Sequence, residues 1–227
     1  MERKIINDIF EWDVSNWSKG LEFWKNELEN LSKKKVLTIG EKNAGLTLLF
    51  AQNGAHVTST DLDGVTEEGK EKIKRFGMEE RVTYDSADFT KLKFKDNSFD
   101  VIAFKSVLGE LHTKERQKIA ISEAARVLKK NGVLIFAENM IASSAHTFLR
   151  RKFLKWGNYW RYLDYSELNE LFEPFNEKGF YFHGFLGALG RTEKQRSFLS
   201  LIDKFIAPII PNNKKYIIFG VCKKSDN

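Results

Sequence analysis

The sequence has a single cysteine, Cys222, and no apolar run near the roughly 20 residues that a membrane-spanning helix requires. One cysteine excludes an internal disulfide and any zinc site built on cysteine pairs. Because Cys222 lies in the apolar run YIIFGVC, a buried strand thiol is favoured over a nucleophile. The first residues, MERKIINDIFEWD, lack the apolar core of a signal peptide. We therefore expect a cytoplasmic protein with no membrane span.

Negative charge is missing from one long segment. The whole chain has 37 Lys and Arg against 31 Asp and Glu, a net charge of +6. Between Asn139 and Leu163 there is no acid, and the segment contains five basic side chains: Arg150, Arg151, Lys152, Lys155 and Arg161. Such a patch favours an anionic partner, for example phosphate, an acidic sugar, a lipid headgroup or nucleic acid. With four histidines and no spaced His/Asp cluster, we predict no metal site.

The stretch from Val36 to Asp61 has the pattern strand, turn, helix, strand, with an acid at the tip of the second strand. Gly40 permits close approach of the backbone to a ligand, and the N–H groups of the turn suit a charged group. Asp61 has the position to accept hydrogen bonds from ribose hydroxyls. The turn GEKNAG lacks the middle glycine of G-x-G-x-x-G, which disfavours a nicotinamide dinucleotide. An ordinary strand-to-helix turn is the alternative at this point.

Strands and helices alternate along most of the chain. Strands are predicted at 36–39, 56–60, 81–85, 99–104, 133–137, 179–186 and 215–222. Helices are predicted from Ser18, with Leu21, Trp24, Leu28 and Leu31 on one face, and at 44–53, 64–76, 114–130, 143–156, 166–178 and 193–205. In the helix at 114–130, the residues predicted to face inward are Ile119, Ala124, Val127 and Leu128. Short loops between alternating elements predict an α/β fold with a doubly wound parallel sheet and helices on both faces.

A more specific resemblance begins 27 residues after Asp61, where Ala87-Asp88-Phe89 precedes LKFKDNSFDVI. The stretch AARVLKKNGVLIFAE follows. From Val36 to Glu138 the chain resembles the class I S-adenosylmethionine-dependent methyltransferases, in particular those with a methyltransferase domain of type 11 or 25. The resemblance implies a Rossmann-like sheet of seven strands, mostly parallel, with an antiparallel final strand. It also implies S-adenosylmethionine as the cofactor and S-adenosylhomocysteine as the product.

The resemblance assigns roles to residues of the cofactor site. Gly40 would abut the methionine moiety, Asp61 would hold the ribose, and Leu62 would pack on the adenine. Asp88 would accept from the adenine amino group, and Phe89 would flank the ring.

Two departures from the family pattern concern the same site. The family often has an acid where Thr38 stands and a glycine where Lys42 stands, so Lys42 either pairs with the cofactor carboxylate or obstructs binding. Further candidates are Asn43 in the turn, Ser106 after the fourth strand, and Trp17, which with Trp12 belongs to an expected lid.

The loop after the fourth strand, VLGELHTKE, lies where the family holds its reacting centre. Methyl transfer from a sulfonium is an in-line displacement, in which alignment matters most and a base assists a hydroxyl acceptor. His112 is the first candidate base and Glu110 the second. Glu138, at the tip of the fifth strand, is a candidate for binding a substrate hydroxyl or amine. The alternative for His112 is a surface position near a helix start.

We expect a single methyltransferase domain over residues 1–227. Its expected parts are a helical lid at 1–33, a cofactor-binding core at 34–138, a basic and aromatic substrate cap at 139–165, and the remainder of the sheet with a helical insertion at 166–227. The expected reaction is O- or N-methylation of a small polar metabolite or sugar. Anionic or phosphorylated molecules are the candidate acceptors.

Two alternatives stay open. One is methylation of RNA or protein. Lys105-Ser106-Val107-Leu108 stands where an NPPY-like tetrad would follow the fourth strand, which argues against methylation of a base or amide nitrogen. The sequence also shows no appended RNA-binding domain, so a nucleic-acid partner is disfavoured. The other is a methyltransferase fold without catalytic activity. The oligomeric state is open.

Overall fold

The computed structural model describes residues 2–153 and 159–225, apart from the side chains of Arg150, Arg151 and Phe153. The strands are β1 (Lys35–Ile39), β2 (His56–Asp61), β3 (Val82–Ser86), β4 (Phe99–Lys105), β5 (Leu128–Asn139), β6 (Glu177–His183) and β7 (Ile217–Lys223). The helices are α1 (Arg3–Phe10), α2 (Val14–Trp17), α3 (Gly20–Phe23), α4 (Lys25–Glu29), α5 (Gly45–Gln52), α6 (Glu67–Arg75), α7 (Lys114–Val127), α8 (Ser144–Phe153), α9 (Leu168–Leu171) and α10 (Glu193–Ile206).

The seven strands form one sheet in the order β3-β2-β1-β4-β5-β7-β6. β1 pairs in parallel with β2 and β4, whereas β7 runs antiparallel between β5 and β6. The predicted fold class, a doubly wound sheet with an antiparallel final strand, is confirmed. The strand order reverses between β1 and β4, and ligands of such sheets bind beyond the carboxyl ends of the strands at this point.

Apolar side chains are packed on both faces of the sheet. On one face, Phe10 of α1 and Leu46 of α5 belong to a buried cluster that also includes Val36 of β1. On the other face, Ile121 of α7 packs in a cluster with Phe104 of β4. Helices therefore cover both faces, as predicted, and the carboxyl end of the sheet is supported by these two packed clusters. The division of the chain into lid, core, cap and remainder stays a prediction.

The single continuous helix predicted from Ser18 does not form. Ser18 directly follows the end of α2, and the predicted span is divided at Trp24 into the two short helices α3 and α4. Three residues of the predicted face, Trp24, Leu28 and Leu31, are nevertheless buried. A Cβ on Gly20 would lie 2.7 Å from Cδ1 of Phe219, so the chain passes close to β7 at this point. Trp17 and Trp24 are both fully buried and contact Phe219 edge-on. The burial of these two tryptophans against Phe219 stabilises the interrupted backbone of this segment more than one continuous helix would.

Two other predicted helices are too long. The helix at 114–130 ends at Val127, because Leu128 already pairs with Phe99 of β4, and Ile119 is exposed rather than inward. Of the helix at 166–178 only α9 forms, and β6 begins at Glu177. The part of the helix at 143–156 that lies beyond Phe153 falls outside the described residues. The helix at 193–205 is confirmed as α10.

Candidate functional site

The turn after β1 is held from inside by a carboxylate. Gly40 has φ +69°, and a Cβ there would lie 2.3 Å from Cγ2 of Val107, so only glycine fits. The N–H of Glu41 donates to the carbonyl of Thr60 over 2.9 Å, and its carboxylate accepts from the N–H of Thr47 over 2.9 Å. Burial raises the pKa of Glu41. Sequence reasoning missed Glu41, whose neighbours in the turn gave no sign that it points inward.

The outer side of the same turn is held by α6. The carbonyl of Lys42 accepts from both the N–H and the hydroxyl of Thr66, each over 2.9 Å. The Thr66 hydroxyl also lies 3.2 Å from Oδ1 of Asn43, and Thr66 is the N-cap of α6. The side chain of Lys42 is exposed. Whether Lys42 pairs with a ligand carboxylate or obstructs it stays a prediction, as does a ligand contact for Asn43.

Thr38, where the family often has an acid, lies in a buried network of hydroxyl groups. Its Oγ1 is 2.8 Å from that of Thr47, which is 2.7 Å from Oγ of Ser59. This network ties β1, α5 and β2 together beneath the turn. Thr38 is fully buried, so it stabilises the floor of the site rather than facing it.

Asp61 ends β2 at the carboxyl edge of the sheet. Its half-buried carboxylate accepts from the N–H groups of Leu62 and Asp63, and burial raises its pKa. It forms no salt bridge within the described part of the chain. Beside it, Leu62 exposes 65% of its surface. A carboxylate that forms no salt bridge within the described residues, next to an exposed apolar side chain, matches the donors of a ribose and the face of an adenine. These residues therefore fit S-adenosylmethionine.

The two other predicted adenine contacts differ in exposure. Oδ1 of Asp88 accepts from the N–H and the hydroxyl of Thr90 over 2.8 and 2.7 Å, which lowers the pKa of this exposed carboxyl. Oδ2 is then the oxygen that would meet an exocyclic amino group. Phe89 is buried, with its ring edge-on to Phe104 at 5.3 Å. A direct contact of either side chain with the adenine stays a prediction.

A pocket of about 260 Å³ opens where β4 ends. We call it the β4 pocket, and its lining residues are Trp12, Lys105, Ser106, Glu110, Tyr159 and Trp160. Ser106 has φ +57°, and its Oγ accepts from Nδ2 of Asn139 over 2.9 Å. This sharp backbone turn directs the following loop over the sheet edge. The pocket brings together one cation, one carboxylate and three aromatic rings.

Glu138 holds the loop that forms one side of the β4 pocket. Its Oε2 accepts from the N–H groups of Val107 and Leu108, each over 2.8 Å, and its Oε1 accepts from the N–H of Asn139 over 2.8 Å. The side chain is fully buried, and burial raises its pKa to about 7. These contacts give Glu138 a positioning role, while its predicted contact with a substrate stays a prediction.

Glu110 and His112 lie on this loop, and the charges of Asp61 and Lys42 act on Glu110. Burial and the negative charge of Asp61 raise the pKa of Glu110, while His112 and Lys42 act in the opposite direction. Nδ1 of His112 lies 2.9 Å from the carbonyl of Tyr159, so it is the nitrogen that donates. Nε2 of the neutral ring then keeps a lone pair, as a base requires. Glu110 lines the β4 pocket, whereas the catalytic role of Glu110 or His112 stays a prediction.

Lys105 is the main residue that sequence reasoning missed. Its ammonium lies 5.9 Å and 5.8 Å from the ring centres of Trp12 and Trp17 and donates to the carbonyl of Phe10 over 3.4 Å. Burial lowers its pKa, and Glu11 and Glu41 act against this. The only available signal was a lysine directly after the apolar run at residues 101–104.

The two tryptophans expected to form a lid differ in position. Trp12 lines the β4 pocket. Trp17 is fully buried beneath it, with the two ring centres 4.8 Å apart. Trp17 thus supports the pocket wall, and the prediction that it contacts the cofactor is not tested by this arrangement.

The segment after α8 is fastened to the β4 loop. Gln117 donates to the carbonyls of Leu108 and Arg161 over 2.9 and 3.1 Å, and Arg161 donates back to Gln117 and to Glu167. Its guanidinium is therefore already engaged. Of the other members of the predicted basic patch, Lys155 and the side chains of Arg150 and Arg151 lie outside the described residues, and Lys152 is exposed.

The described residues contain no group of three or more His, Cys, Asp and Glu suited to a metal ion, and no helix long and apolar enough to cross a bilayer. A larger cavity, of about 540 Å³, lies at the opposite end of the parallel strands, between Lys34, Asp100 and Asn131. That cavity is remote from Asp61 and carries charges of both signs.

Comparisons with known proteins agree with this geometry. Residues 37–136 match a family described as a methyltransferase domain. The ubiquinone/menaquinone biosynthesis C-methyltransferase of Ruegeria is 28% identical over 138 residues, 59% of this chain and 53% of that protein. The glycine/sarcosine/dimethylglycine N-methyltransferase of Actinopolyspora halophila is 30% identical over 113 residues, 49% of this chain and 20% of that protein. The chain thus matches about half or less of the length of these relatives.

Solved structures share the fold over nearly the whole chain. Phosphoethanolamine N-methyltransferase 2 of Haemonchus contortus, solved in complex with S-adenosyl-L-methionine, has a TM-score of 0.68 and 18% identity, and covers 97% of this chain and 57% of that one. YcgJ of Bacillus subtilis has a TM-score of 0.63 and 16% identity, and covers 92% of this chain and 100% of that one. Residues 37–136 of the chain therefore match the methyltransferase domain family, and the chain shares its fold with these solved structures.

Proposed function

We propose that this chain transfers a methyl group from S-adenosylmethionine to an oxygen or nitrogen of a small polar acceptor held in the β4 pocket. The observation that carries the proposal is the lining of that pocket, where Lys105 and Glu110 lie among three aromatic rings. Its volume of about 260 Å³ suits a small molecule or the head of a larger one. The pocket opens at the carboxyl edge of the sheet, on the same edge as Asp61.

The cofactor side of the reaction needs little from the protein besides orientation. S-adenosylmethionine, when bound, supplies a methyl group on a positively charged sulfur. Asp61 and Leu62 would hold its nucleoside, and the turn at Gly40 would receive its amino-acid part. Glu41 and Thr66, which fix this turn from its two sides, keep the backbone N–H groups in place.

The acceptor side needs a base and an anchor. Glu110 lines the pocket, and its raised pKa makes it a stronger base than an ordinary carboxylate. Lys105 would pair with an anionic or hydrogen-bond-accepting group of the acceptor, since its ammonium lies beside the pocket with two aromatic rings around it. Tyr159 and Trp160 would cover apolar parts of the acceptor.

Relatives support a small-molecule acceptor. One solved neighbour is named for phosphoethanolamine and one curated relative for glycine, sarcosine and dimethylglycine, all small and polar. Others are named for ubiquinone and menaquinone biosynthesis. Methylation of RNA or protein is less well supported, because the pocket is narrow and Arg161, from the predicted basic patch, is engaged within the chain.

Replacing Glu110 by glutamine is expected to lower kcat by about a hundredfold, because proton removal by a positioned base contributes on that order. The unmodified enzyme should lose activity as the pH falls through the raised pKa of Glu110, above the usual range of a carboxylate, because the protonated group is no base. The variant should lack this acidic limb. The measurement is transfer of labelled methyl groups to a panel of small amines, amino acids, hydroxy acids and phosphorylated alcohols.

The matched control is Glu68→Gln, on the exposed side of α6, which should retain both kcat and the pH profile. Affinity for S-adenosylhomocysteine should stay unchanged in Glu110→Gln. Should that variant keep full kcat and the acidic limb while His112→Gln loses them, Nε2 of His112 would be the base instead.

A further inference from the structure

Helix α10 buries two polar residues and exposes three large apolar side chains. Its fully or nearly buried residues are Ser200 and Asp203. On the opposite side Phe198, Leu201 and Phe205 follow one another at steps of three and four and expose 64%, 53% and 82% of their surface. A helix that only covers a core has the reverse arrangement. The exposed stripe is therefore a candidate interaction surface.

The two acids of this region point away from the exposed stripe. The carboxylate of Asp203 accepts from the N–H groups of Phe185, Leu186 and Gly187 over 2.8 to 3.0 Å. The carboxylate of Glu193 accepts from the N–H of Asp13 over 2.7 Å and pairs with Arg196. From Leu189 to Lys215 the sequence contains no other acid. The outward side of α10 therefore carries no uncompensated negative charge.

Positive charges border the stripe. Lys194 precedes Phe198 by four residues and lies on the same side of the helix, and Lys204 lies at its edge. Both are exposed, and neither forms a salt bridge within the described part of the chain. After α10 the apolar surface continues to Ile209, which exposes 79%, and then to the exposed Lys214.

We propose that this surface, which we call the α10 face (Lys194, Phe198, Leu201, Lys204, Phe205 and Ile209), docks on an anionic phospholipid bilayer. Apolar side chains along one side of a helix, with lysines at their border and no acid, are the pattern of helices that lie in the bilayer interface. The lysines complement anionic headgroups, each contributing attraction near the surface. A second copy of the chain is a poorer occupant, because a twofold contact would bring the lysines of one copy towards those of the other.

The α10 face is connected to the wall of the β4 pocket. Besides the contact of Glu193 with Asp13, the hydroxyls of Ser15 and Ser197 lie 3.1 Å apart, and Arg196 lies 5.9 Å from the ring centre of Trp12. Docking at α10 would therefore hold the active site close to the bilayer surface. The proposal stands on the exposed stripe and its charges, and it does not depend on the identity of the methyl acceptor.

The test is sedimentation of the full chain with vesicles of phosphatidylcholine, with and without phosphatidylglycerol. The unmodified protein should bind the anionic vesicles, and added salt should weaken the binding. Phe198→Ser with Phe205→Ser should lower partitioning by at least about tenfold, since two large apolar side chains no longer enter the interface. Lys194→Glu with Lys204→Glu should lower it by a similar factor on anionic vesicles.

Ile119→Ser is the matched control, because Ile119 is an exposed apolar residue of α7, 49% accessible, outside the α10 face. It should bind vesicles as the unmodified protein does. Thermal unfolding of the Phe198 and Phe205 variant should be unchanged, since both side chains are exposed. Equal vesicle binding by that variant would overturn the proposal. So would failure of the unmodified protein to bind, including the case in which sedimentation velocity shows a dimer that Phe205→Ser dissociates.

Discussion

Asp61→Ala is expected to weaken the binding of S-adenosylmethionine and S-adenosylhomocysteine by about a hundredfold. Hydrogen bonds to a charged carboxylate contribute about 1.5–3 kcal/mol each, and two ribose hydroxyls meet one carboxylate. Asp61 forms no salt bridge within the described part of the chain, so its carboxylate oxygens are available to the ribose hydroxyls. The alanine side chain offers the ribose no acceptor in their place. Isothermal titration calorimetry measures the effect on both ligands.

Two companion variants sharpen this test. Asp63→Ala removes a neighbouring exposed carboxylate and keeps the backbone N–H that donates to Asp61, so the affinity should be unchanged. Asp61→Asn keeps one acceptor oxygen without the charge, so its affinity should fall between those of Asp61→Ala and the unmodified protein. Equal affinity in all three variants would remove Asp61 from the site.

Glu138→Ala is expected to lower the free energy of unfolding by about 3 kcal/mol or more. Three backbone N–H groups donate to this buried carboxylate, and each buried donor left without an acceptor costs about 1–3 kcal/mol. Two of them belong to the loop that carries Glu110, so the β4 pocket should lose its shape as well. Urea denaturation followed by tryptophan fluorescence measures the stability, with the exposed Glu71→Ala as control. An unchanged midpoint in Glu138→Ala would contradict the positioning role.

The pH dependence of stability tests the same residue. The pKa of Glu138 in the folded protein is about 7, above its ordinary 4.5, so the folded state binds the proton more tightly than the unfolded state. This contribution is complete below 4.5 and is lost as the pH rises through 7. Glu138→Gln lacks this pH-dependent contribution, because the glutamine side chain does not titrate. The difference in unfolding free energy between the unmodified protein and this variant should therefore narrow between pH 5 and pH 8. A constant difference across that interval would contradict the raised pKa.

The candidate site residues whose position at the sheet edge the sequence predicted are those with local signals. The turn at Gly40 and the acid at Asp61 sit at the ends of adjacent strands, and the strand–helix alternation alone brings them to one edge of the sheet. Glu110 and His112 follow β4 directly and reach the same edge. For these residues the order along the chain is enough, because each lies within a few residues of a strand end.

What the sequence could not predict depends on distant contacts. Lys105 is surrounded by Trp12 and Trp17, roughly ninety residues away along the chain, and no local pattern indicates that pairing. The carboxylate of Glu41 accepts from the nearby Thr47, but the residues of the turn do not indicate that Glu41 rather than Lys42 points inward. In α10, periodicity predicts an amphipathic helix but not which side faces the core. The continuous helix predicted from Ser18 does not form, because Trp17 and Trp24 are buried through tertiary contacts, and such contacts contribute more to helix stability than local propensity does.

The most direct test of the account is calorimetric titration of the unmodified chain with S-adenosylhomocysteine and then with S-adenosylmethionine. The site at Gly40, Asp61 and Leu62 predicts one ligand per chain, with a dissociation constant on the order of micromolar for each. Lys42 would then be compatible with binding. Absence of measurable binding for both ligands, in a protein that unfolds cooperatively, would contradict the proposed enzyme and favour a methyltransferase fold that has lost its cofactor.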